Sequence, residues 1–265
     1  MLIRLTRERE GYIIRNTMRS LSNVIYNESN MALDAYFPDT DGFATIVYVH
    51  GGGIESGDKT DETCVGIAES FVKNGYGFIS VNYRLYPSVK FPQYIEDCAD
   101  AVAWAKAHVS EYGGNGELYV SGQSAGAWMS LMLCLNDKFL KKVGIDPMEI
   151  RGWIIDSAQT TSHFNVLKYE GGCNPNAQRI DEFAPLYYVG ETTKFTKMLM
   201  LFYEQDIPCR PEQNYLFIKA VKNFHWAADI SYKQLPGGHC HGSSVRDEDG
   251  EYAYIKESIK WLKNV

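Results

Sequence analysis

The stretch that decides the fold is Leu118–Trp128, which reads LYVSGQSAGAW. An apolar run suited to a buried strand meets the pattern Gly-x-Ser-x-Gly around Ser124, and the small and apolar residues of 125–135 suit a helix. That order of strand, serine and helix gives the pattern its meaning, because it places the serine on a tight, strained turn. Gly122 and Gly126 are needed there, since a Cβ at either position would collide with the neighbouring strand or helix. The stretch therefore predicts a nucleophilic serine.

The composition is that of one large globular domain. The chain has 265 residues, of which 45% are hydrophobic and 22% charged, and its net charge is −7. The acidic balance argues against a nucleic-acid surface. No apolar run approaches the roughly 20 residues of a membrane span. The first ten residues lack the apolar core of a secretory signal. We therefore expect neither nucleic acid nor a membrane as a partner.

The cysteines indicate a reducing compartment. Six cysteines are scattered along the chain, and several fall inside predicted helices, where a free thiol packs as a small apolar group. We expect reduced thiols in a cytoplasmic protein. No Cys-x-x-Cys pair is present, which disfavours a zinc site, and we expect no metal and no cofactor.

Strands alternate with helical stretches along the chain, after a charged surface segment over 1–20. This alternation predicts an α/β fold with a mostly parallel central sheet and helices on both faces, in a single domain over 1–265. The irregular stretch 157–196 is predicted to be a small lid insertion. The predicted hairpin has arms 23–26 and 31–37. Further strands are predicted at 44–49, 77–83, 152–156, 198–203 and 230–235, and helices at 62–73, 92–112, 212–224 and 249–263.

A glycine-rich turn follows the first buried strand, where residues 50–53 read HGGG. Consecutive glycines at a strand end suggest that the backbone itself approaches a ligand. The amides of Gly52 and Gly53, with that of Ala125, are the predicted donors to a developing oxyanion. Two alternatives remain. A phosphate loop lacks its Gly-Lys-Ser/Thr, since Asp58 stands there, and a plain glycine turn needs no ligand.

A serine nucleophile needs a base, and the late candidates lie in the loop after the last predicted strand. His239 closely follows two glycines and is the preferred base, with His241 as the alternative. A His-x-His metal pair lacks obvious partners. His50 is interpreted as a hydrogen-bond partner of its own loop. The surface is the expected place of the remaining histidines, namely His108, His163 and His225.

The base needs a carboxylate to fix its tautomer, and Asp206 lies just past the end of a predicted strand. Glu204 and Asp156 are its rivals. The chain order Ser124…Asp206…His239 is that of the α/β-hydrolases. Two aspartates inside a predicted helix are expected to be solvated or capping residues, namely Asp97 and Asp100.

Four motifs together carry a family resemblance. They are HGGG at 50–53, NYRL at 82–85, GQSAG at 122–126 and the late Asp and His. With them the chain resembles α/β-hydrolase esterases of the hormone-sensitive-lipase-like group, over about 24–262. Within that group it is most similar to small bacterial carboxylesterases of the feruloyl and acetyl-xylan esterase kind, through SGDK at 56–59, FNVLK at 164–168 and DEFAPLY at 181–187.

The resemblance implies a serine carboxylesterase that acts on small soluble esters, with acetyl or hydroxycinnamoyl esters of carbohydrate as the expected class. Phe164, Tyr187 and Tyr188 are expected either to line an aromatic or sugar-facing pocket or to form the core of the insertion. Two other functions stay open, an arylformamidase-like amide hydrolase and a non-catalytic ligand-binding relative. The oligomeric state is also open, with a homodimer as one candidate.

Overall fold

The central element is a twisted, mostly parallel sheet, seen in a computed structural model that describes residues 18–190, 194–224 and 229–265. Within this part of the chain the sheet has eight strands in the order β1-β2-β4-β3-β5-β6-β7-β8. The pairs β1–β2 and β2–β4 are antiparallel, and every other neighbouring pair is parallel. The strands are β1 (Met18–Ile25), β2 (Ala32–Pro38), β3 (Phe43–Val49), β4 (Gly77–Val81), β5 (Gly114–Gln123), β6 (Gly152–Asp156), β7 (Lys197–Gln205) and β8 (Asp229–Gly238).

Helices follow most of the parallel strands and cover both faces of the sheet. One core cluster packs α2, α3 and α6 against the sheet, and a second packs α1 and α8 against the opposite face. The helices are α1 (Glu62–Lys73), α2 (Gln93–His108), α3 (Ala125–Leu135), α4 (Lys138–Lys142), α5 (Phe164–Tyr169), α6 (Arg210–Phe224), α7 (His241–Ser244) and α8 (Ala253–Leu262). The predicted α/β architecture is therefore confirmed.

The predicted elements are confirmed most closely where apolar runs are continuous. β4 and β6 are buried along their whole length, as expected of strands covered on both faces. The predicted hairpin is formed by β1 and β2, but β1 begins at Met18, inside the segment assigned to a surface lead-in. The last helix begins at Ala253 rather than near 249, because a turn at Asp247–Gly250 precedes it. None of the helices in the described ranges is long and apolar enough to span a membrane.

Asp97 of α2 differs from the expectation. Asp97 is fully buried and forms an ion pair with Arg84 at 2.8 Å. It also accepts the Arg84 backbone N–H at 3.0 Å and the Asn27 side chain at 3.0 Å. A buried carboxylate needs such partners. The interpretation of Asp97 as a solvated or capping residue is therefore wrong, and its role is to brace the segment that follows β4.

The stretch after β6 is largely irregular, as predicted. Within 157–190 it contains α5 and a 3₁₀ turn at Pro185–Tyr188. Residues 157–163 are buried, and Ser157, Ala158 and Thr160 are hydrogen-bonded to side chains or backbone of α6. The Thr160 hydroxyl donates to the backbone carbonyl of Gln213 in α6 at 3.0 Å. These contacts fix the stretch to the body of the domain, and its function as a lid stays a prediction.

Candidate active site

Ser124 lies on the sharp turn between β5 and α3. Its backbone has φ +54° and ψ −114°, outside the regions that non-glycine residues favour. The turn is held on both sides, because the Ser124 N–H donates to the Asp156 carbonyl at 2.8 Å and the Ser124 carbonyl accepts the Trp128 N–H at 3.0 Å. Strain of this kind persists only where the surroundings enforce it, and it is typical of functional positions.

The two glycines beside Ser124 permit this close approach. A Cβ on Gly122 would lie 2.3 Å from the Gly126 carbonyl carbon at the start of α3. A Cβ on Gly126 would lie 2.0 Å from the Val49 carbonyl oxygen of β3. Real Cβ atoms do not come this close to backbone. The predicted reason for the glycines, collision with the neighbouring strand and helix, is confirmed.

A continuous series of hydrogen bonds joins Ser124 to the late histidine and aspartate. His239 Nε2 lies 2.8 Å from Ser124 Oγ, and His239 Nδ1 lies 2.5 Å from Asp206 Oδ1. The Asp206 side chain is fully shielded from solvent, whereas the His239 side chain is 26% exposed. Since the carboxylate accepts from Nδ1, Nε2 is left as the acceptor for the serine proton.

The rival candidates lie elsewhere. His241 is exposed and begins α7, with its ring packed beneath Gly237, where a Cβ would lie 2.5 Å from the His241 Cγ. Glu204 is exposed near the end of β7. Asp156 is fully buried and accepts hydrogen bonds from Ser243 and, at 2.9 Å, from Tyr203. The structure thus joins Asp206 and His239 to Ser124 Oγ by hydrogen bonds, and among the described residues neither the His241 nor the Glu204 side chain is hydrogen-bonded to any of the three.

The glycine turn after β3 faces the serine turn. Gly52 has φ +102° and Gly53 has φ +66°, backbone conformations that favour glycine. The Gly52 carbonyl accepts the N–H groups of Glu55 and Ser56, both at 3.0 Å, which closes the turn. Ala125 is the first residue of α3, where helix N–H groups have no partner within the helix. Within the described residues, no acceptor is recorded for the N–H of Gly52, Gly53 or Ala125.

Helix α5 holds the same turn from the other side. Asn165 Nδ2 donates to the Gly53 carbonyl at 2.6 Å and to Glu55 Oε2 at 2.9 Å. Glu55 Oε1 in turn accepts Tyr169 at 2.5 Å and Lys168 at 2.7 Å. In the sequence, the residues of α5 stand out only as a family motif, and nothing there indicates a role for Asn165. No local pattern could reveal it, because its partners lie far away in the chain.

Two other histidines have structural roles, and one of them corrects an expectation. His50 is buried, is stacked on Tyr83 with ring centroids 4.4 Å apart, and bonds the Gly51 carbonyl at 2.7 Å, in agreement with its interpretation as a loop partner. Burial lowers the pKa of His50 and, well below its usual value, that of His163. His163 is 1% exposed, so its surface assignment is wrong.

The ring of His163 is stacked on Phe164 at 4.3 Å, and its Nδ1 accepts the Asn165 N–H at 3.2 Å. His108 Nδ1 lies 3.0 Å from Glu111 and its side chain is partly exposed, in keeping with a surface position. His225 lies outside the described residues. In the described part of the chain, no group of three or more His, Cys, Asp or Glu side chains is arranged to hold a metal ion.

Comparison with known proteins identifies the family. The BD-FAE family model matches residues 33–168, slightly more than half of the chain. A probable carboxylic ester hydrolase, LipM, of Mycobacterium tuberculosis is 33% identical over 102 residues, which are 37% of this chain and 23% of that protein. An acetyl esterase of Salmonella typhi is 32% identical over 110 residues, 40% of this chain and 33% of that protein. These alignments therefore span only a third or less of the relatives.

Solved structures agree over nearly the whole chain. Esterase B of Lactobacillus rhamnosis has a TM-score of 0.75 at 14% identity and covers 94% of this chain and 85% of that one. A truncated carbohydrate esterase from gut microbiota has a TM-score of 0.73 at 16% identity and covers 96% and 99%. At such identities the likeness shows the fold. The resemblance to α/β-hydrolase esterases is confirmed: the chain has the α/β-hydrolase fold and belongs to the BD-FAE family.

Proposed function

We propose that this protein is a serine carboxylesterase that hydrolyses small soluble esters, with Ser124 as nucleophile, His239 as base and Asp206 as its carboxylate. The observation that carries the proposal is the unbroken series of hydrogen bonds from Asp206 through His239 to Ser124 Oγ. A serine hydroxyl alone is a poor nucleophile at neutral pH, and an adjacent oriented imidazole is the usual means of activating it. The esterase relatives support the same reaction class.

The reaction proceeds in two transfers of the acyl group. Ser124 Oγ bonds to the ester carbonyl carbon while its proton moves to His239 Nε2. The bond between that carbon and the alcohol oxygen then breaks, and the imidazolium gives the proton to the leaving alcohol. A water molecule next loses a proton to His239 and attacks the acyl-enzyme. Cleavage of the Ser124 ester bond releases the acid and restores the serine hydroxyl.

Negative charge on the carbonyl oxygen is stabilised by the amides of Gly52, Gly53 and Ala125. Two features support this assignment. These N–H groups border the serine turn, and Ala125 adds the positive end of the α3 dipole. Donors fixed before the reaction are effective because no reorganisation is needed as the charge develops. The bonds from Asn165 to Gly53 and Glu55 support a turn of fixed shape.

The substrate is proposed to be an acetyl or hydroxycinnamoyl ester related to carbohydrate. The acetyl esterase among the relatives and the carbohydrate esterase among the structural neighbours favour this class. Phe164 lies beside the glycine turn, 3.5 Å from the position of a Cβ on Gly53, and would contact a bound acyl group. Tyr187 is 57% exposed, and its ring is the proposed surface on which a sugar stacks, as part of a lid over 157–196. A cytoplasmic location and a homodimer remain predictions.

The test is hydrolysis by the purified protein of p-nitrophenyl acyl esters, methyl hydroxycinnamates and N-formylkynurenine. We expect turnover of the esters, and a loss of at least about 10³-fold in kcat for Ser124→Ala with an unchanged circular dichroism spectrum. Unchanged esterase activity in Ser124→Ala would overturn the mechanism. Preferred turnover of the formamide would assign the chain to the amide hydrolases instead. Failure of the wild type to react with a fluorophosphonate probe would indicate a non-catalytic relative.

A further inference from the structure

A fully buried carboxylate lies beneath the proposed catalytic residues without belonging to them. Asp156 ends β6 and has no exposed surface. Its Oδ1 accepts the Tyr203 hydroxyl at 2.9 Å, and its Oδ2 accepts the Ser243 hydroxyl. Gln123 Nε2 donates to Ser243 Oγ at 2.6 Å. These four residues, Asp156, Tyr203, Ser243 and Gln123, are called here the Asp156 network.

The three partners of Asp156 in this network each lie on a segment that carries or adjoins one of the proposed catalytic residues. Gln123 directly precedes Ser124, and Tyr203 lies on β7, which leads to Asp206. Ser243 lies on α7, which follows His239. The backbone adds two further links. The Asp156 carbonyl accepts the Ser124 N–H at 2.8 Å, and the hydroxyl of the next residue, Ser157, accepts the Cys240 N–H at 3.1 Å.

The network contains no cation to balance the carboxylate, since both of its side-chain donors are neutral hydroxyls. Burial raises the pKa of Asp156 to about 6, against the lowering effect of its hydrogen bonds and of His239. Among the titratable groups of the described residues that face it, only the imidazole of His239 gains positive charge in the proposed reaction. These groups are His239, Asp206, Tyr203, Tyr254, Tyr48 and Cys240.

We propose that Asp156 is a positioning residue, whose ionised carboxylate holds the Ser124, Asp206 and His239 segments in register and favours the protonated form of His239. The inference rests on the proposed function. A neutral residue of the same shape could form the same hydrogen bonds, but it would not stabilise the positive charge on His239. In water-excluded surroundings a fixed negative charge interacts strongly with an imidazolium.

Asparagine at position 156 separates the charge from the hydrogen bonds. Its amide oxygen can accept the Tyr203 hydroxyl, and its amide nitrogen can donate to Ser243 Oγ. Ser243 can then turn its own proton to the Cys240 carbonyl, which lies 3.1 Å away. All polar groups keep partners, so we expect Asp156→Asn to fold, while Asp156→Ala would leave the buried Tyr203 hydroxyl without an acceptor. The matched control is Asp100→Asn, the same chemical change on α2, where the carboxylate contacts Asn27 at 3.3 Å.

The experiment compares kcat and KM of the wild type, Asp156→Asn and Asp100→Asn on p-nitrophenyl acetate from pH 5 to 9. For Asp156→Asn we expect kcat at pH 8 to fall roughly 10- to 100-fold with KM within about twofold, because the lost charge would have stabilised the imidazolium that forms in the transition state. The wild-type plot of log(kcat/KM) should fall more steeply below pH 6 than that of Asp156→Asn. Asp100→Asn should match the wild type.

Asp156→Asn with wild-type kcat and an unchanged acidic limb would overturn the inference. The rate at which a fluorophosphonate labels Ser124 provides a second readout that needs no turnover, and we expect it to fall in parallel with kcat. If the wild type is labelled but does not hydrolyse the esters, the substrate proposal fails and labelling alone decides the role of Asp156. If the wild type is neither labelled nor active, the proposed function and this inference fail together.

Discussion

Replacing Asp156 with asparagine should remove a loss of stability that the wild type undergoes as pH rises from 4 to 8, although it slows the proposed reaction. Burial raises the pKa of this carboxyl to about 6 in the folded protein, against about 3.9 in an unfolded chain. Between these two values the folded state binds more protons than the unfolded state, so the free energy of unfolding decreases as pH rises. The stabilising effect is fully present below about pH 4 and is lost through about pH 6.

The size of this loss follows from the gap between the two pKa values. A gap of about 2 units at about 1.4 kcal/mol per unit gives roughly 3 kcal/mol. Asp156→Asn has no carboxyl to titrate at this position, so its free energy of unfolding does not undergo this decrease as pH rises. The difference in unfolding free energy between variant and wild type should therefore rise by roughly 3 kcal/mol from pH 4 to pH 8, whatever constant offset the amide introduces.

The assay is urea unfolding, followed by tryptophan fluorescence, of both proteins at half-unit steps of pH. Tyr203→Phe is the control in the same network, because it removes a donor that lies 2.9 Å from the carboxylate but keeps the charge. In Tyr203→Phe the free energy of unfolding should decrease more with rising pH than in the wild type, whereas in Asp156→Asn it should decrease less. A difference between Asp156→Asn and the wild type that stays constant within about 1 kcal/mol across this range would refute the reasoning.

Three further predictions concern the groups around the serine. His239→Ala should abolish ester hydrolysis and fluorophosphonate labelling, while His241→Ala, the matched control in the same loop, should retain both; the reverse result would reassign the base. Gly126→Ala should fail to yield a folded protein by circular dichroism, since its Cβ would lie 2.0 Å from a β3 carbonyl oxygen; a native spectrum and melting temperature would contradict this. Asn165→Ala should lower kcat by roughly tenfold with little change in KM, because the hydrogen bond that fixes the Gly53 turn is lost. An unchanged kcat would show that Asn165 does not position the oxyanion donors.

The parts of the site that the sequence predicts are those encoded by neighbours in the chain. Glycine is required beside Ser124 and after β3 because the local backbone there allows no side chain. Short motifs in the sequence therefore reveal these positions. Asp206 could be proposed from its place after a strand, because the carboxyl ends of parallel strands meet at one edge of the sheet. The α/β architecture could be predicted because buried strands and amphipathic helices each have their own periodicity of apolar residues along the chain.

The choice between His239 and His241 depends on the backbone conformation of the loop, which the amino-acid sequence does not reveal. Cys240 has φ +56°, in the left-handed region, and the chain reverses there. This reversal directs His239 toward Ser124 and starts α7 at His241. A non-glycine residue in that conformation is uncommon, so no propensity argument would have anticipated it.

The buried polar contacts could not be predicted because they join distant segments. Asp156 and Ser243 are 87 positions apart, and Asn165 and Gly53 are 112 positions apart. A lone aspartate or histidine in a sequence is exposed more often than not, and this expectation failed for Asp97 and for His163. Asp97 is buried with Arg84 and Asn27 of other segments as its partners, and His163 is buried against Trp128 of α3, contacts that only the folded chain reveals.

The stability and the kinetics of Asp156→Asn are linked by one physical cause. A carboxylate held away from water with only neutral donors destabilises the ionised folded protein, and an amide would satisfy the same hydrogen bonds without that cost. Stability alone therefore gives no reason for a charge at this position. The charge has a use only if a positive group forms nearby during function, and among the facing groups His239 is the one that becomes positive in the proposed mechanism. A variant that gains stability relative to the wild type as pH rises and is also slower would show that the two effects come from the same buried charge. A variant with the same gain that is equally fast would leave Asp156 without a role in the reaction.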